Sequence, residues 1–236
     1  MRRPGRLIAR SILVLLLMLC AFVAFWFGLV PQSVSPLPSL TLEERPQWFV
    51  DFRIAALRRD PAACRALLHE PHIAATPISD RPIANGCGWE NAFRIQSVDG
   101  AELGLGALTC EATAALALWV KYEVQPLAQA MFGTRVTSIG DMGTYACRNI
   151  IGSRKWANMR SQHALANAVD ISSFRLENGE TISVAKDWKS RGRKARFLRR
   201  VHSRACHYFR VALSPDYNRA HWNHFHFDRG IFTRCR

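Results

Sequence analysis

Three histidines stand within six residues in the segment Ala220-His221-Trp222-Asn223-His224-Phe225-His226-Phe227-Asp228. On an extended strand, residues two apart share a face, their Cα atoms about 6.6 Å apart. His224 and His226 therefore point together, while Phe225 and Phe227 enter the core. Two imidazoles on one face are costly to bury unless they share a task, and neutral imidazole is the commonest metal ligand. A second segment, Ser161-Gln162-His163-Ala164-Leu165-Ala166-Asn167-Ala168-Val169-Asp170-Ile171, places a histidine and a carboxylate seven positions apart with mostly small residues between them. A compact turn through Ala164–Ala168 would bring both onto one ion. Asp170, flanked by Val169 and Ile171 at the start of a strand, otherwise lacks a partner for its charge. His163, Asp170 and His226 thus offer two nitrogens and one oxygen. Three protein ligands with a fourth position open is the arrangement of catalytic zinc, so Zn2+ is the expected cofactor. Segment by segment, the alternatives stay open: surface histidines on an edge strand, and a carboxylate unrelated to His163.

An α+β fold is expected to position these residues: a small antiparallel sheet carrying the His/Asp site, packed with helices and preceded by one N-terminal transmembrane helix. Thr41 and Glu44 have capping-box spacing, and Trp48, Phe49, Phe52, Ala55 and Ala56 follow at helical intervals. Asp60-Pro61 starts a second short helix through His69. Pro71–Gly88 reads as loop, and Phe93–Val98 alternates as a strand. Thr109–Phe132 reads as mostly helical, with Pro126 as a break or kink. Val136–Ile139 and Thr144–Cys147 read as short strands. Ala168–Leu176 turns at Asn178-Gly179 into Thr181–Val184 as a hairpin. Ala195–Leu213 reads as one amphipathic helix, and Trp222–Phe227 as a final strand.

Arg2, Arg3, Arg6 and Arg10 precede Ser11–Val30, twenty residues without a charge. Such a helix rises about 30 Å, the thickness of a bilayer's hydrocarbon core. The basic flank predicts a cytoplasmic N-terminal end and an exported remainder. The expected organisation is a basic tail over 1–10, a signal-anchor over 11–30, a Pro-rich tether over 31–40 and an exported domain over 41–236. A cleaved signal peptide is the alternative, although its apolar region usually spans about 7–15 residues. Cys20 lies in the span. Cys64, Cys87, Cys110, Cys147, Cys206 and Cys235 remain, and in an oxidising compartment they suggest three disulfides. Six cysteines allow fifteen pairings, among which the sequence does not choose. With no Cys-x-x-Cys pair, a cysteine-based zinc site is not expected.

The net charge of +14 calls for an anionic partner. Four positive charges belong to the N-terminal flank, and Lys186–Arg204 holds nine basic residues against one acid. That patch lacks interleaved aromatics and an exported domain meets little nucleic acid, so no nucleic-acid partner is expected. It suits an anionic membrane surface or cell-wall carboxylates.

Ser161-x-His163-x6-Asp170 with the later His224-x-His226 resembles the zinc peptidases that cut bacterial cell-wall peptides. These are D-alanyl-D-alanine carboxypeptidases and dipeptidases, and penicillin-insensitive murein endopeptidases. The wider pattern resembles the bacterial extensin-like C-terminal domain family more closely, over roughly Cys64 to Asp228. It comprises Cys87-Gly88, the Cys110 helix with Val124-Gln125-Pro126, Tyr145-x-Cys147-Arg148, Asn178-Gly179, Asp187-Trp188 and Cys206. The peptidase resemblance implies zinc on His163, Asp170 and His226. It implies His224 as general base or transition-state stabiliser, His221 as an additional active-site histidine and Arg148 as an oxyanion-stabilising residue. It also implies peptidoglycan or cell-wall peptides as partners, and a bacterial inner membrane with the domain in the periplasm. The chain departs at Ala166, where the peptidases usually carry Gly, and at Gln162, often Glu. The carboxypeptidases' Glu-x-x-His stands here as His221-x-x-His224, which moves the resemblance towards the endopeptidases. The expectation is a membrane-anchored, zinc-dependent, peptidase-like protein. The alternative is a non-catalytic wall-binding or structural domain of the same fold that retains the metal site.

Overall fold

The computed structural model describes residues 4–69 and 71–236, so Arg2 and Arg3 of the basic tail lie outside the described residues. Helix α1, Pro4–Trp26, contains one stretch, Leu7–Trp26, long and apolar enough to cross a membrane. Pro31–Leu40 lies along the domain: Ser33 N donates to Asp60 Oδ2 (3.2 Å), Arg53 Nη2 donates to Ser39 O (2.8 Å), and Leu40 is buried. The capping-box helix forms only in its second half, as α2 (Val50–Ala56), because Phe49 takes a left-handed conformation ahead of it. Helix α3, Pro61–Leu67, is capped by Asp60, whose carboxylate accepts from Ala63 N (3.0 Å).

Pro71–Gly88 is not loop but β1 (Ile73–Ile78), β2 (Arg81–Ala84) and the start of β3 (Cys87–Trp89). Pro77 lies on an outermost strand and Pro82 in a separate two-stranded ribbon, where a missing N–H interrupts little of the ladder. Strands β4 (Ala92–Val98) and β5 (Ala101–Thr109) form a hairpin. Helix α4, Cys110–Trp119, is buried throughout. It passes through a π turn over Val120–Val124 into α5, Gln125–Phe132, which absorbs Pro126 near its start.

Next come β6 (Val136–Asp141), β7 (Ala168–Leu176), β8 (Thr181–Ser183), α6 (Val184–Asp187), α7 (Arg193–Ala205), β9 (Val211–Leu213), β10 (Phe225–Asp228) and β11 (Arg234–Cys235). The expected helix over Ala195–Leu213 therefore ends at Ala205, because Val211–Leu213 pairs with β10 instead. Thr144–Cys147 forms no strand, and the strand expected from Trp222 begins at Phe225, after a tight turn over Arg219–His221, and is followed by β11 rather than being the final one. The main sheet runs β1-β4-β5-β6-β7-β10-β9-β11, with β8 beside β7. It is antiparallel except at β5–β6 and β9–β11. The fold is thus α+β, as expected.

One face of the β7–β10 region packs on aromatic core. Trp119 meets Phe227 and Phe174 edge-on at centroid distances of 5.2 and 6.0 Å, and its Nε1–H donates to Val201 O (2.8 Å). Phe225 packs against Trp188 at 5.4 Å. The six cysteines pair as Cys64–Cys110, Cys87–Cys147 and Cys206–Cys235. The second of these fastens the segment after β6, which borders the site.

Candidate metal centre

The site is assembled across one strand pair. Ser161 opens a short 3-10 turn over Gln162–Leu165, its Oγ accepting from His163 N (3.3 Å). The turn closes at Ala166 with φ 50° and ψ 31°, and the chain enters β7. In β7, Asp170 pairs directly with His226 of β10. Residues opposite one another in an antiparallel pair project from the same face, so register alone joins the carboxylate to the imidazole. Phe225 and Phe227 on the other face are fully buried and hold β10 in that register.

His163 Nε2, His226 Nδ1 and Asp170 Oδ1 form a nearly equilateral triangle with sides of 3.1, 2.9 and 3.2 Å. Tetrahedral zinc with bonds of about 2.0–2.2 Å sets its ligand atoms roughly 3.3 Å apart, so the three donors need move only by tenths of an ångström. All three side chains are buried and form a group able to hold a metal ion. The remaining ring nitrogens are also fixed. His163 Nδ1–H donates to Thr144 O (3.1 Å), leaving Nε2 bare towards the centre. His226 Nε2–H donates to Asp228 Oδ2 (3.0 Å), and Asp228 Oδ1 accepts from Gly230 N (2.8 Å). Such outer partners orient metal-binding imidazoles and raise their basicity. Asp228 was not singled out from the sequence, yet the period-two alternation that groups His224 with His226 also places Asp228 on their face.

His224 is not on β10, but the turn before it delivers its Nε2 to 3.7 Å from Asp170 Oδ2. Its Nδ1–H donates to Asn223 Oδ1 (2.9 Å), so Nε2 carries the free lone pair. Asn218 Oδ1 accepts from Ala220 N (2.9 Å) while its Nδ2 donates to Gly152 O (3.1 Å), which fixes the amide's orientation. The same oxygen accepts from His221 Nδ1–H (2.7 Å), so His221 also keeps Nε2 bare. His221 lies 5.3 and 5.7 Å from the His224 and His226 ring centres. Arg148, half-buried, reaches the same cleft and donates to its neighbour's carbonyl, Asn149 O (3.3 Å). The cleft holds about 530 Å³; its floor includes Asp170, His221, His224 and His226, and its walls include Ile150, Ile151, Trp156, Met159, Ile231 and Phe232. Two other acids of the domain are engaged elsewhere: Glu111 pairs with Arg58 (2.9 Å), and Asp141 accepts from Gly143 N (2.9 Å).

Charge is distributed unevenly among these groups. Burial raises the Asp170 carboxyl, but the adjoining His163 and His226 imidazoles outweigh it and hold the group well below the carboxylate range. Burial depresses His226, but its bonds to Asp170 and Asp228 prevail and lift it to about 9. Burial lowers His221 to about 4, with the His226 and His224 charges acting the same way. Burial also lowers His224, against the pull of Asp170. The centre thus couples one firmly ionised carboxylate to two neutral imidazoles with free lone pairs.

These features define a class of protein: a disulfide-fastened α+β domain that buries a His/Asp/His group able to hold a metal ion beneath an apolar-walled cleft. The chain belongs to the family described as Extensin-like protein C-terminus, whose profile matches residues 62–236. No curated protein and no solved structure gives a match.

Proposed function

We propose that this protein is a membrane-held, zinc-dependent hydrolase of peptide bonds in bacterial cell-wall peptides, its domain on the periplasmic side of the inner membrane. The observation that carries the reading is the triangle of His163 Nε2, Asp170 Oδ1 and His226 Nδ1, set beside the bare Nε2 of His224 in one cleft. Zinc held by that triangle would supply Lewis-acid polarisation of a scissile carbonyl and a water acidified to a pKa of about 7. His224 Nε2, neutral at pH 7, takes a proton from the attacking water and passes it to the leaving amine, while Asn223 retains the proton on Nδ1. Arg148, which lines the cleft, would stabilise the negative charge that develops on the carbonyl oxygen, and His221 would accept a hydrogen bond from a substrate N–H. The apolar walls exclude water around the scissile bond.

A second reading, peptide binding without cleavage, draws on His221, which stands where the carboxypeptidases carry a glutamate. Digestion of purified peptidoglycan by the zinc-loaded chain, followed by mass spectrometry of the released peptides, separates the two. Hydrolysis that disappears in His224→Ala with zinc still bound supports the first. Zinc-dependent binding to peptidoglycan with no new peptide ends refutes it.

A further inference from the structure

Whereas the domain's other strongly exposed aromatics, Trp222 and Phe232, stand apart in sequence, Trp48 and Phe49 are 74% and 60% exposed and adjacent in the chain. Their neighbours explain the exposure. The Phe49 ring stacks on Phe52 at 6.3 Å, and Phe52 meets Phe22 and Phe25 of α1 at 5.8 and 6.0 Å. Phe22 precedes Trp26, the last residue of the apolar stretch, by about one helical turn. Phe49 therefore stands level with the end of α1, where a spanning helix leaves the hydrocarbon.

The helix end is also fastened to the domain at close range. Gly28 has φ 62°, and a Cβ there would lie 2.2 Å from Ala55 O, so α1 exits directly against α2. The Arg210 guanidinium stacks on Trp26 at 4.0 Å, donates to Trp26 O (2.6 Å), and donates through Nη1 to Gly230 O (3.2 Å) in the cleft wall. Arg45, Arg204 and His207 line the same shallow hollow as Phe49, and the buried Glu123 pairs with both arginines.

We infer that Trp48 and Phe49 enter the interfacial layer of the bilayer crossed by α1, with Arg45 and Arg204 at the level of anionic lipid headgroups. The domain then rests on the membrane instead of hanging from a tether. Tryptophan suits this layer because its ring is apolar and its N–H polar. The inference rests on α1 as a span and not on hydrolysis, so a failed digestion assay leaves it standing.

The test uses the full chain reconstituted in vesicles of equal parts phosphatidylcholine and phosphatidylglycerol, brominated on the upper acyl chain. Of seven tryptophans, Trp26 and Trp48 are expected to be the ones quenched by bromine. Trp48→Phe, a conservative change at an exposed site, should lower the lipid-quenched signal about twofold, and Trp26→Phe should do the same. An unchanged quenched signal in Trp48→Phe overturns the inference, whether or not Trp26→Phe responds. A chain that is dimeric in lipid discs and becomes monomeric in Phe49→Ser, with Trp48 unquenched, makes a second copy the occupant and also overturns it.

Discussion

Replacing Asp228 by Asn tests the centre by one proton. Gly230 N–H holds Asp228 Oδ1 at 2.8 Å, which leaves Oδ2 to receive the His226 Nε2 proton at 3.0 Å. In Asp228→Asn the same backbone N–H still requires an oxygen, so the amide must turn its NH2 towards His226 Nε2. An NH2 group only donates there. Nε2 must then be bare, and the neutral ring carries its proton on Nδ1, the atom that completes the triangle with His163 and Asp170. A metal must displace that proton or break the amide bond. Changes to outer partners of this kind typically cost 10–100-fold in metal affinity, about 1.4–2.7 kcal/mol. Zinc affinity measured by competition with a chromophoric chelator at pH 7, with circular dichroism to confirm folding, reads the effect. Asp228→Ala supplies the control, since it removes the acceptor but imposes no tautomer. Asn should bind zinc more weakly than Ala, and Ala more weakly than the native chain. Native affinity in Asp228→Asn, or the reverse order of the two variants, refutes the tautomer argument.

Three further outcomes follow from the same structure. His226 titrates near 9 when folded against 6.5 as a free side chain, so its proton stabilises the metal-free fold fully below about pH 6.5. That contribution is lost as pH rises from 6.5 through 9, while zinc affinity climbs over the same window; denaturation and zinc titrations across pH should show opposite trends. Asp51 receives both Arg210 and Arg229, whose side chains are each 1% exposed, so Asp51→Ala leaves two buried guanidiniums without their carboxylate. The expected loss is on the order of 3 kcal/mol in a denaturant midpoint series, and a loss below about 1 kcal/mol counts against the network. Ala166 is fully buried at φ 50°, where a Cβ costs roughly 1–2 kcal/mol, so Ala166→Gly should stay within about 1 kcal/mol of native stability. A clear loss beyond that shows the strain to be absent.

The candidate site was legible because ligand chemistry is carried by residue type and short-range spacing. His163 and Asp170 are separated by a turn, and the alternation of His and Phe before Asp228 sets one strand's faces. What joined the two halves was not legible. The pairing of Asp170 with His226 spans 56 residues, and no local period encodes it. The Thr144 carbonyl that orients His163 is a backbone group, invisible to side-chain reading, and its segment has no regular structure. Strand β5 did carry a signal, since Ala101, Leu103 and Leu105 alternate with exposed positions, but its glycines weaken the pattern. Helix α7 was read too long for a different reason. Its apolar stripe continues through Tyr208 and Phe209, while pairing of Val211–Leu213 with β10 and the Cys206–Cys235 bond decide where the helix stops. Pro71–Gly88 misled because turn-forming residues also suit short edge strands.

The three departures from the peptidase pattern are not equal once they are placed. Gln162 Oε1 accepts from Asn167 Nδ2 (3.0 Å), and Asn167 Oδ1 accepts from Thr109 Oγ1 (2.6 Å), so Gln162 braces the turn below His163. Ala166 closes that turn in the left-handed region where glycine is at ease, which accounts for a glycine being usual there. Gln162 also lines the cleft, and the ligand triangle forms with both residues in place. His221 lies closest of the three to the other site histidines, His224 and His226. Its Nε2 is bare and burial holds its pKa near 4, so at neutral pH it accepts rather than donates. In the proposed hydrolysis, proton transfer from water would fall to His224, whose pKa burial lowers against the attraction of Asp170. His221, with a free lone pair pointing into the cleft, is better suited to receive a hydrogen bond from a substrate N–H than to stabilise an oxyanion. In the proposed hydrolysis the oxyanion role would then pass to Arg148, one of three arginines lining the cleft and a permanent donor.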